Sequence, residues 1–314
     1  MLLEKFSRFF RRYDLHLHPR HKAAVFLPMI AAVREYSIVD AIKTGWEAGK
    51  SAALQSNGDT VEIVDLEVRE DQGVVVILFH RSSPDAADPM YRKREKKKIS
   101  LRQADKDQDE EQSVSAHFIV EIAPKTQGTF RAALEEIPGI SLAVVQAIIA
   151  PILRDYSYEF SDKKGKDIDT YSVLKVEGIK SESLVEALKT QTLNYITLTR
   201  TVMLDAPDGE GIIEPMNEKM RYRVIGNPAD PNWTERLEGF VKRARGQGWE
   251  DVCLDISLDD QRHRTVKIDR DQEAKEILFV RSEQVSVATE LKPCTATILD
   301  EMVIKGIGVI AKIP

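Results

Sequence analysis

Two neighbouring segments constrain the fold of this chain more than any other part of it. Residues 61–68 carry several aliphatic side chains, and residues 74–80 are almost continuously apolar. Between them, Asp71-Gln72-Gly73 has the composition of a tight turn. Two apolar arms around such a turn predict a β-hairpin.

The other segments mix strands with helices. Strand patterns occur over residues 13–18, 114–122, 170–176, 193–204, 220–225, 251–258 and 264–268. Helical patterns occur over residues 28–53, 129–136, 141–155, 232–245 and 294–310, the last interrupted by two glycines. Because strands and helices do not alternate regularly, the pattern favours an α+β fold with mixed, mainly antiparallel sheets and packed helices.

The length of 314 residues favours two domains. Residues 161–167 are polar and interrupted by a glycine, as is typical of a boundary. We therefore predict an N-terminal α+β domain over residues 1–163, which carries a basic and acidic loop, and a C-terminal α+β domain over residues 164–314.

The charge of the chain reverses sharply within that loop. Residues 90–102 carry seven cations and one anion, whereas residues 105–111 carry five anions and one cation. A concentrated run of cations is attracted to a phosphate backbone without regard to base sequence. Since the whole chain has a formal net charge of −6, any such binding surface has to be local.

This pattern predicts a set of phosphate contacts. The primary group is Arg92, Lys93, Arg94, Lys96, Lys97, Lys98 and Arg102, and the second group, at a predicted helix C-terminus, is Lys242, Arg243 and Arg245. Two alternatives remain open for the first group: a solvated run neutralised by its acidic neighbour, and a surface that binds a protein partner. The second group would also complement the helix dipole.

A third basic cluster lies near the N-terminus, where Arg8, Arg11 and Arg12 follow several apolar residues. The first twelve residues predict a short amphipathic helix packed on its own domain, with a partner or membrane surface as the alternative.

One motif suggests metal chemistry. The run Asp14-Leu15-His16-Leu17-His18 puts two histidines on one face of a predicted strand, where both imidazoles could reach one metal ion. It resembles the first metal motif of the polymerase-and-histidinol-phosphatase hydrolases. The later histidine and carboxylate motifs of that family do not follow, so a metal-dependent nuclease or phosphohydrolase using His16 and His18 is the alternative hypothesis.

Other catalytic patterns are weaker. Asp255 and Glu273-Ala274-Lys275 could form a restriction-type nuclease site, but acidic residues are abundant in this chain. Phosphate-binding glycine loops and the nucleophile elbow of hydrolases do not occur. We predict no catalytic residues, no cofactor and no small-molecule substrate, so the sequence favours a protein that is not an enzyme.

The composition indicates a reducing compartment. Two cysteines, Cys253 and Cys294, give neither a disulfide framework nor a zinc spacing, and each is expected to be a small buried residue. The most apolar stretch, residues 137–153, is shorter than a bilayer requires. We therefore predict a cytoplasmic protein.

The order of elements is similar to that of the RexA-type exclusion proteins of lambdoid prophages and the B component of the Kiwa defence pair. The similarity lies in Val76-Ile77-Leu78-Phe79 before the basic segment, Ala116-His117-Phe118-Ile119-Val120-Glu121, Gly178-Ile179-Lys180, and Asn194-Tyr195-Ile196-Thr197-Leu198. This resemblance implies a cytoplasmic homodimer that binds double-stranded DNA with little sequence preference. It further implies antiviral defence or phage exclusion beside a membrane-embedded partner protein.

Overall fold

The computed structural model shows two compact units, which we call unit 1 (Met1–Ile179 with Ser282–Pro314) and unit 2 (Lys180–Arg281). It describes residues 3–31, 36–94, 99–104, 106–107, 109–161, 165–183, 192–201, 217–226, 230, 232–257, 263–268, 278–280 and 282–312. The division differs from the predicted boundary after residue 163. The reason is strand pairing, because residues on both sides of unit 2 complete the sheet of unit 1.

Unit 1 is built around an eight-stranded antiparallel sheet in the order β11-β1-β8-β7-β4-β3-β2, with β18 also paired to β1. Its strands are β1 (Ser7–Pro19), β2 (Ala52–Leu54), β3 (Thr60–Arg69), β4 (Val74–Ser83), β7 (Gln112–Glu121), β8 (Thr129–Glu135), β11 (Ser172–Gly178) and β18 (Ser282–Ser286). Two separate hairpins accompany it: β5 (Met90–Arg94) with β6 (Ile99–Gln103), and β9 (Tyr158–Ser161) with β10 (Asp167–Thr170).

The predicted hairpin of residues 61–80 is confirmed as β3 and β4. A 3₁₀ turn, Glu70–Gln72, joins the arms, and Gly73 adopts a φ of 69° that favours glycine. In β4, Val75, Ile77 and Phe79 face one hydrophobic core, whereas Val74, Val76 and Leu78 face another. The run is continuously apolar because the sheet is covered on both faces.

Helices α1 (Ile38–Glu47) and α2 (Leu142–Asp155) cover the first face. Both begin at a serine, Ser37 and Ser141, whose hydroxyl accepts a backbone N–H of the first turn. The two helices pack closely, since a Cβ on Gly45 of α1 would stand 2.5 Å from the side chain of Ile152 in α2. The predicted helix over residues 141–155 is confirmed, and the one over residues 28–53 is shorter than predicted.

The last helix, Asp300–Ile310, covers the second face; we label it α4 because α3 belongs to unit 2. The predicted interruption at Gly306 and Gly308 is wrong, because the helix continues through both glycines. Gly306 lies directly against Ile119 of β7, and a Cβ at this position would collide with that side chain. The glycine therefore allows close packing of helix on sheet and does not break the helix.

A buried ionic network lies beneath α4. Glu135 of β8 accepts from Arg8 Nε at 3.0 Å through one oxygen and from His117 Nδ1 at 2.8 Å through the other. His117 Nε2 accepts the backbone N–H of Leu299 at 3.1 Å, so the proton resides on Nδ1. All three side chains are about 4% exposed or less. The network joins three strands to the start of α4.

Two predicted helices in unit 1 are strands. Residues 129–136 have helix-forming composition, but as β8 they pair with β1 on one edge and β7 on the other. The first twelve residues do not form an amphipathic helix, because Ser7–Pro19 is a single strand that pairs with β8, β11 and β18. Tertiary pairing overrides local propensity in both places.

Unit 2 contains a four-stranded antiparallel sheet in the order β14-β13-β15-β16 and a two-stranded sheet, β12-β17. Its strands are β12 (Lys180–Ser183), β13 (Thr192–Thr201), β14 (Asn217–Arg223), β15 (Asp251–Ser257), β16 (His263–Ile268) and β17 (Leu278–Val280). Helix α3 (Trp233–Gly246) packs Leu237 and Val241 on one face of the four-stranded sheet, against Leu198, Val252 and their neighbours.

The predicted fold class is therefore confirmed: the protein is α+β with mainly antiparallel sheets. No helix in the described part of the chain has the length and apolar character needed to cross a bilayer. Cys253 and Cys294 are half-buried rather than fully buried, and neither forms a disulfide bond.

Candidate nucleic-acid interface

The predicted basic segment forms an exposed β-hairpin, which we call the basic arm (β5 and β6, residues 90–103). Met90 pairs with Gln103 at one end of the ladder and Arg94 with Ile99 at the other. The arm connects β4 to β7 and forms a two-stranded sheet of its own. The described side chains of its two strands are all exposed.

Cations lie on both faces of the basic arm. The register puts Arg102 directly opposite Tyr91, and Lys93 is two residues further along the same face. The other face carries Arg92, which is paired with Leu101. Positive charge therefore points to both sides of the two-stranded ribbon.

Two of these cations are available to a ligand. Arg102 lies over the ring of Tyr91, with the guanidinium carbon 5.3 Å from the ring centroid. Within the part of the arm that the structure describes, neither Arg92 nor Arg102 forms an ion pair with a carboxylate. The predicted neutralisation by the acidic neighbour does not reach these two side chains.

Three acidic residues, Asp88, Asp107 and Glu110, lie near the base of the basic arm, at the Met90–Gln103 end of the ladder. Asp88 accepts from Gln103 Nε2 at 2.7 Å and lies 3.8 Å from Lys106 Nζ. Asp107 donates its backbone N–H to the carboxylate of Glu110 at 3.0 Å. The described carboxylates around the arm therefore lie near its base, whereas Arg92, Lys93 and Arg102 lie on its two strands.

The other predicted phosphate contacts divide into two groups. Lys96, Lys97 and Lys98 lie between β5 and β6, outside the described residues. Lys242, Arg243 and Arg245 lie in the last turns of α3, and the first two are exposed whereas Arg245 is half-buried. This second group belongs to unit 2, whereas the basic arm belongs to unit 1.

The N-terminal cluster of arginines serves the fold of unit 1. Arg8 and Arg12 are each 4% exposed. Arg8 bonds to Glu135 and to the carbonyl of Lys292, and Arg12 donates to the carbonyl of Lys312 just beyond α4. Arg11 pairs with Glu136. Burial thus removes two members of the third basic cluster, Arg8 and Arg12, from contact with any ligand.

A second exposed row of cations, on β14, is not among the residues predicted from the sequence. Lys219, Arg221 and Arg223 lie on alternate positions of β14, an edge strand, and all three are exposed. The signal is present in the sequence as alternating cations on a predicted strand. It is harder to recognise than consecutive charges, since only the strand period of two brings the three side chains to one face.

The two histidines of the possible metal motif lie on β1. His16 Nδ1 is 3.1 Å from the Thr129 hydroxyl, and its Nε2 is 3.7 Å from Glu177. His18 is exposed. Among the residues that the structure describes, no group of three histidine, cysteine or acidic side chains could hold a metal ion.

The possible restriction-type site is likewise not assembled by described residues. Asp255 of β15 is engaged by Arg221 at 3.2 Å and by the Thr265 hydroxyl at 2.7 Å. Its proposed partners, Glu273 to Lys275, lie outside the described residues.

Comparisons with known proteins add no family to this geometry: a scan against protein-family models gives no match, and neither does a search of curated protein sequences. The assignment of function therefore depends on the surfaces described above.

Proposed function

We propose that this protein binds double-stranded DNA with little sequence preference and without catalysis, through the basic arm. The observation that carries the proposal is the arm itself, an exposed two-stranded ribbon with cations on both faces, whose described neighbouring carboxylates lie at its base. Phosphate contacts of this kind supply affinity that depends on salt and is independent of base sequence.

The dimensions of the arm suit a groove of duplex DNA. The major groove of B-DNA is about 12 Å wide and admits a two-stranded β-ribbon. The arm has five ladder pairs, and the four steps between them, at about 3.4 Å each, make it roughly 14 Å long. A ribbon that enters a groove meets a phosphate backbone on each side, which is why Arg92 on one face and Lys93 and Arg102 on the other would all be used.

The anions at the base favour insertion over flat binding. A ribbon lying along the duplex surface would bring Asp107 and Glu110 close to phosphates, which is unfavourable. Entry by the distal end keeps these carboxylates away from the backbone. The acidic residues thus orient the arm.

A salt series tests the proposal. We expect the affinity of the whole protein for a 30-base-pair duplex, measured by fluorescence anisotropy, to fall steeply with salt. Replacing Arg92, Lys93 and Arg102 with alanine should make the slope of log K against log salt shallower by about 3, at about 0.9 per phosphate contact. Duplexes of unrelated sequence should bind alike.

A charge-matched control separates the arm from general electrostatics. Lys22, Lys43 and Lys292 are exposed cations elsewhere in unit 1. Replacing these three with alanine changes the net charge equally and should leave the slope unchanged. An equal loss in both variants, or affinity that is flat against salt, would contradict the proposal. Alanine at Lys242 and Arg243 would measure the smaller contribution expected from α3.

The biological setting is proposed from the resemblance to RexA-type and Kiwa proteins alone. On that basis the protein is a cytoplasmic homodimer that acts in phage exclusion or antiviral defence with a membrane-embedded partner. Light scattering of the purified protein would reveal a monomer if the dimer is wrong. Plating efficiency of phages on cells with arm-variant protein would test the link between DNA binding and defence.

A further inference from the structure

The four-stranded sheet of unit 2 has one polar face, which we call the open face. Its opposite face is filled by α3 and the apolar side chains of β13 and β15. The open face carries the cations Lys219, Arg221 and Arg223 of β14 and a row of threonines on β13, Thr197, Thr199 and Thr201. No apolar side chain described for unit 2 packs over this row.

The cations and hydroxyls are arranged in two parallel rows. The register pairs Arg221 with Thr197 and Lys219 with Thr199, so two of the three cations stand beside a threonine, and Arg223 is opposite Tyr195. Strands lie about 4.8 Å apart, and alternate residues on one strand are about 7 Å apart. Lysine, arginine and threonine side chains are the groups that contact nucleic-acid phosphates.

An aromatic ring lies within the same surface. The guanidinium carbon of Arg221 is 3.9 Å from the centroid of the Tyr195 ring, and Asp255 holds the same guanidinium at 3.2 Å. Arg221 is therefore fixed as a flat group over the ring, while its side chain remains 60% exposed. Guanidinium planes and tyrosine rings are both stacking partners for unpaired bases.

The width of the sheet distinguishes between nucleic acids. Four strands at about 4.8 Å spacing span roughly 14 Å between the outer strand axes before side chains are counted. The major groove of B-DNA, at about 12 Å, admits an α-helix or a two-stranded ribbon and is narrower than this sheet. A flexible single strand can instead lie across a flat sheet, with phosphates along the cation row and a base on the Arg221–Tyr195 stack.

We propose that the open face of unit 2 binds a single-stranded polynucleotide, with Lys219, Arg221 and Arg223 on its phosphates and the Arg221–Tyr195 stack beneath a base. This goes beyond duplex binding by the basic arm and depends on different residues. A protein that holds a duplex with one unit and a single strand with the other would recognise DNA that is partly unwound.

The experiment measures labelled dT20, rU20 and a 20-base-pair duplex against the full-length protein over a salt series. Replacing Lys219, Arg221 and Arg223 with alanine should weaken dT20 or rU20 binding roughly tenfold or more and make its salt slope shallower by about 2, at about 0.7 per contact. Duplex affinity should be unchanged. The tighter of the two single strands shows whether the open face prefers DNA or RNA.

Two further variants keep the result interpretable. Lys219→Glu with Arg223→Glu retains the Arg221–Asp255 pair, so it should fold normally and still lose the single strand. The variant with alanine at Lys22, Lys43 and Lys292 should bind like the parent protein. Circular dichroism of each variant checks the fold.

Several outcomes would overturn the proposal. The parent protein could fail to bind either single strand, or the basic-arm variant could lose single strands while the open-face variants keep them. An equal loss of duplex and single strand in the open-face variants would also refute it. Loss of duplex binding in the arm variant alone leaves this proposal intact, so its failure and that of duplex binding are distinguishable.

Discussion

The sheet of unit 1 is covered by helices on both faces, whereas α3 covers the four-stranded sheet of unit 2 on one face in the described residues. Each sheet has a strand with two arginines on one of its faces. Arg8 and Arg12 of β1 are buried beneath α4, and Arg221 and Arg223 of β14 are exposed. Arginines that share one face of a strand thus have opposite roles in the two units, and whether that face is covered determines the role.

The buried arginines of unit 1 are partnered as burial requires. A buried ion is tolerated only when its charge is paired and its N–H groups are hydrogen-bonded. For Arg8, Glu135 supplies the opposite charge and the carbonyl of Lys292 accepts a hydrogen bond. The exposed arginines of unit 2 have no such need. A cation on a strand is therefore informative about binding only after the layer above it is known.

The largest effect is expected at the buried network. Replacing Glu135 with alanine leaves Arg8 buried without its counter-ion, and we expect the free energy of unfolding of unit 1 to fall by about 3–5 kcal/mol. Urea denaturation followed by circular dichroism measures the loss.

The matched control for this variant is Glu121→Ala. Glu121 of β7 also pairs with an arginine of β8, with Arg131 Nε at 2.8 Å, but both of these side chains are partly exposed. The expected loss is about 0–1 kcal/mol. Equal losses in the two variants would mean that coverage by α4 does not change the energetic role of the pair.

The next largest effect concerns the closeness of α4 to the sheet. Gly306→Ala forces a Cβ into Ile119 and should destabilise the protein by about 1–3 kcal/mol. Gly308→Ala, on the exposed side of the same helix, meets no atom within 4 Å and should stabilise the helix by about 0.5–1 kcal/mol. Thermal denaturation of both variants should therefore give shifts of opposite sign.

A smaller effect, confined to acid pH, is expected at Asp59 beside the β3–β4 hairpin. Hydrogen bonds from Ser83 and then Arg81 lower the pKa of this carboxyl, which is only 2% exposed. Because the folded pKa lies below the unfolded value of about 3.9, the stabilisation is complete above that pH and is lost as pH falls through the folded pKa. Unfolding of Asp59→Asn should therefore depend less steeply on pH below 4 than that of the parent protein, and parallel curves would contradict this.

The smallest effect is expected on the open face. Lys219→Ala and Arg223→Ala should each change the free energy of unfolding by no more than about 0.5 kcal/mol, since both side chains are exposed. Denaturant titration of the single variants measures this. A loss above 1 kcal/mol would show that these cations serve the fold, as Arg8 does.

Much of the fold could be predicted from sequence where side-chain period and turn chemistry agree. The β3–β4 hairpin, β7 and α2 all follow from local pattern. The strand β8 could not be predicted, because its composition favours a helix. One of its two pairing partners, β1, is more than 100 residues away in the sequence; the other, β7, is close by. The division of the chain into two units could not be predicted either, because β18, which follows unit 2 in the sequence, pairs with β1 of unit 1.

The candidate surfaces were predictable to different extents. The basic arm is apparent in the sequence from its consecutive charges. Its form as a paired ribbon is known only from the structure, which pairs Arg92 with Leu101. The cations of β14 required knowledge that their face is not covered. Conversely, Arg8 and Arg12 look like a binding cluster in the sequence, and only the position of α4 shows that they are internal.

The pairing of β1 with β18 has a consequence for biosynthesis. The first strand of the sheet leaves the ribosome with one segment of its edge unpaired, and its partner follows only after the whole of unit 2 has been translated. At elongation rates of about 5–20 residues per second that interval is on the order of tens of seconds. Unit 2 therefore has time to fold before β18 is available to pair with β1.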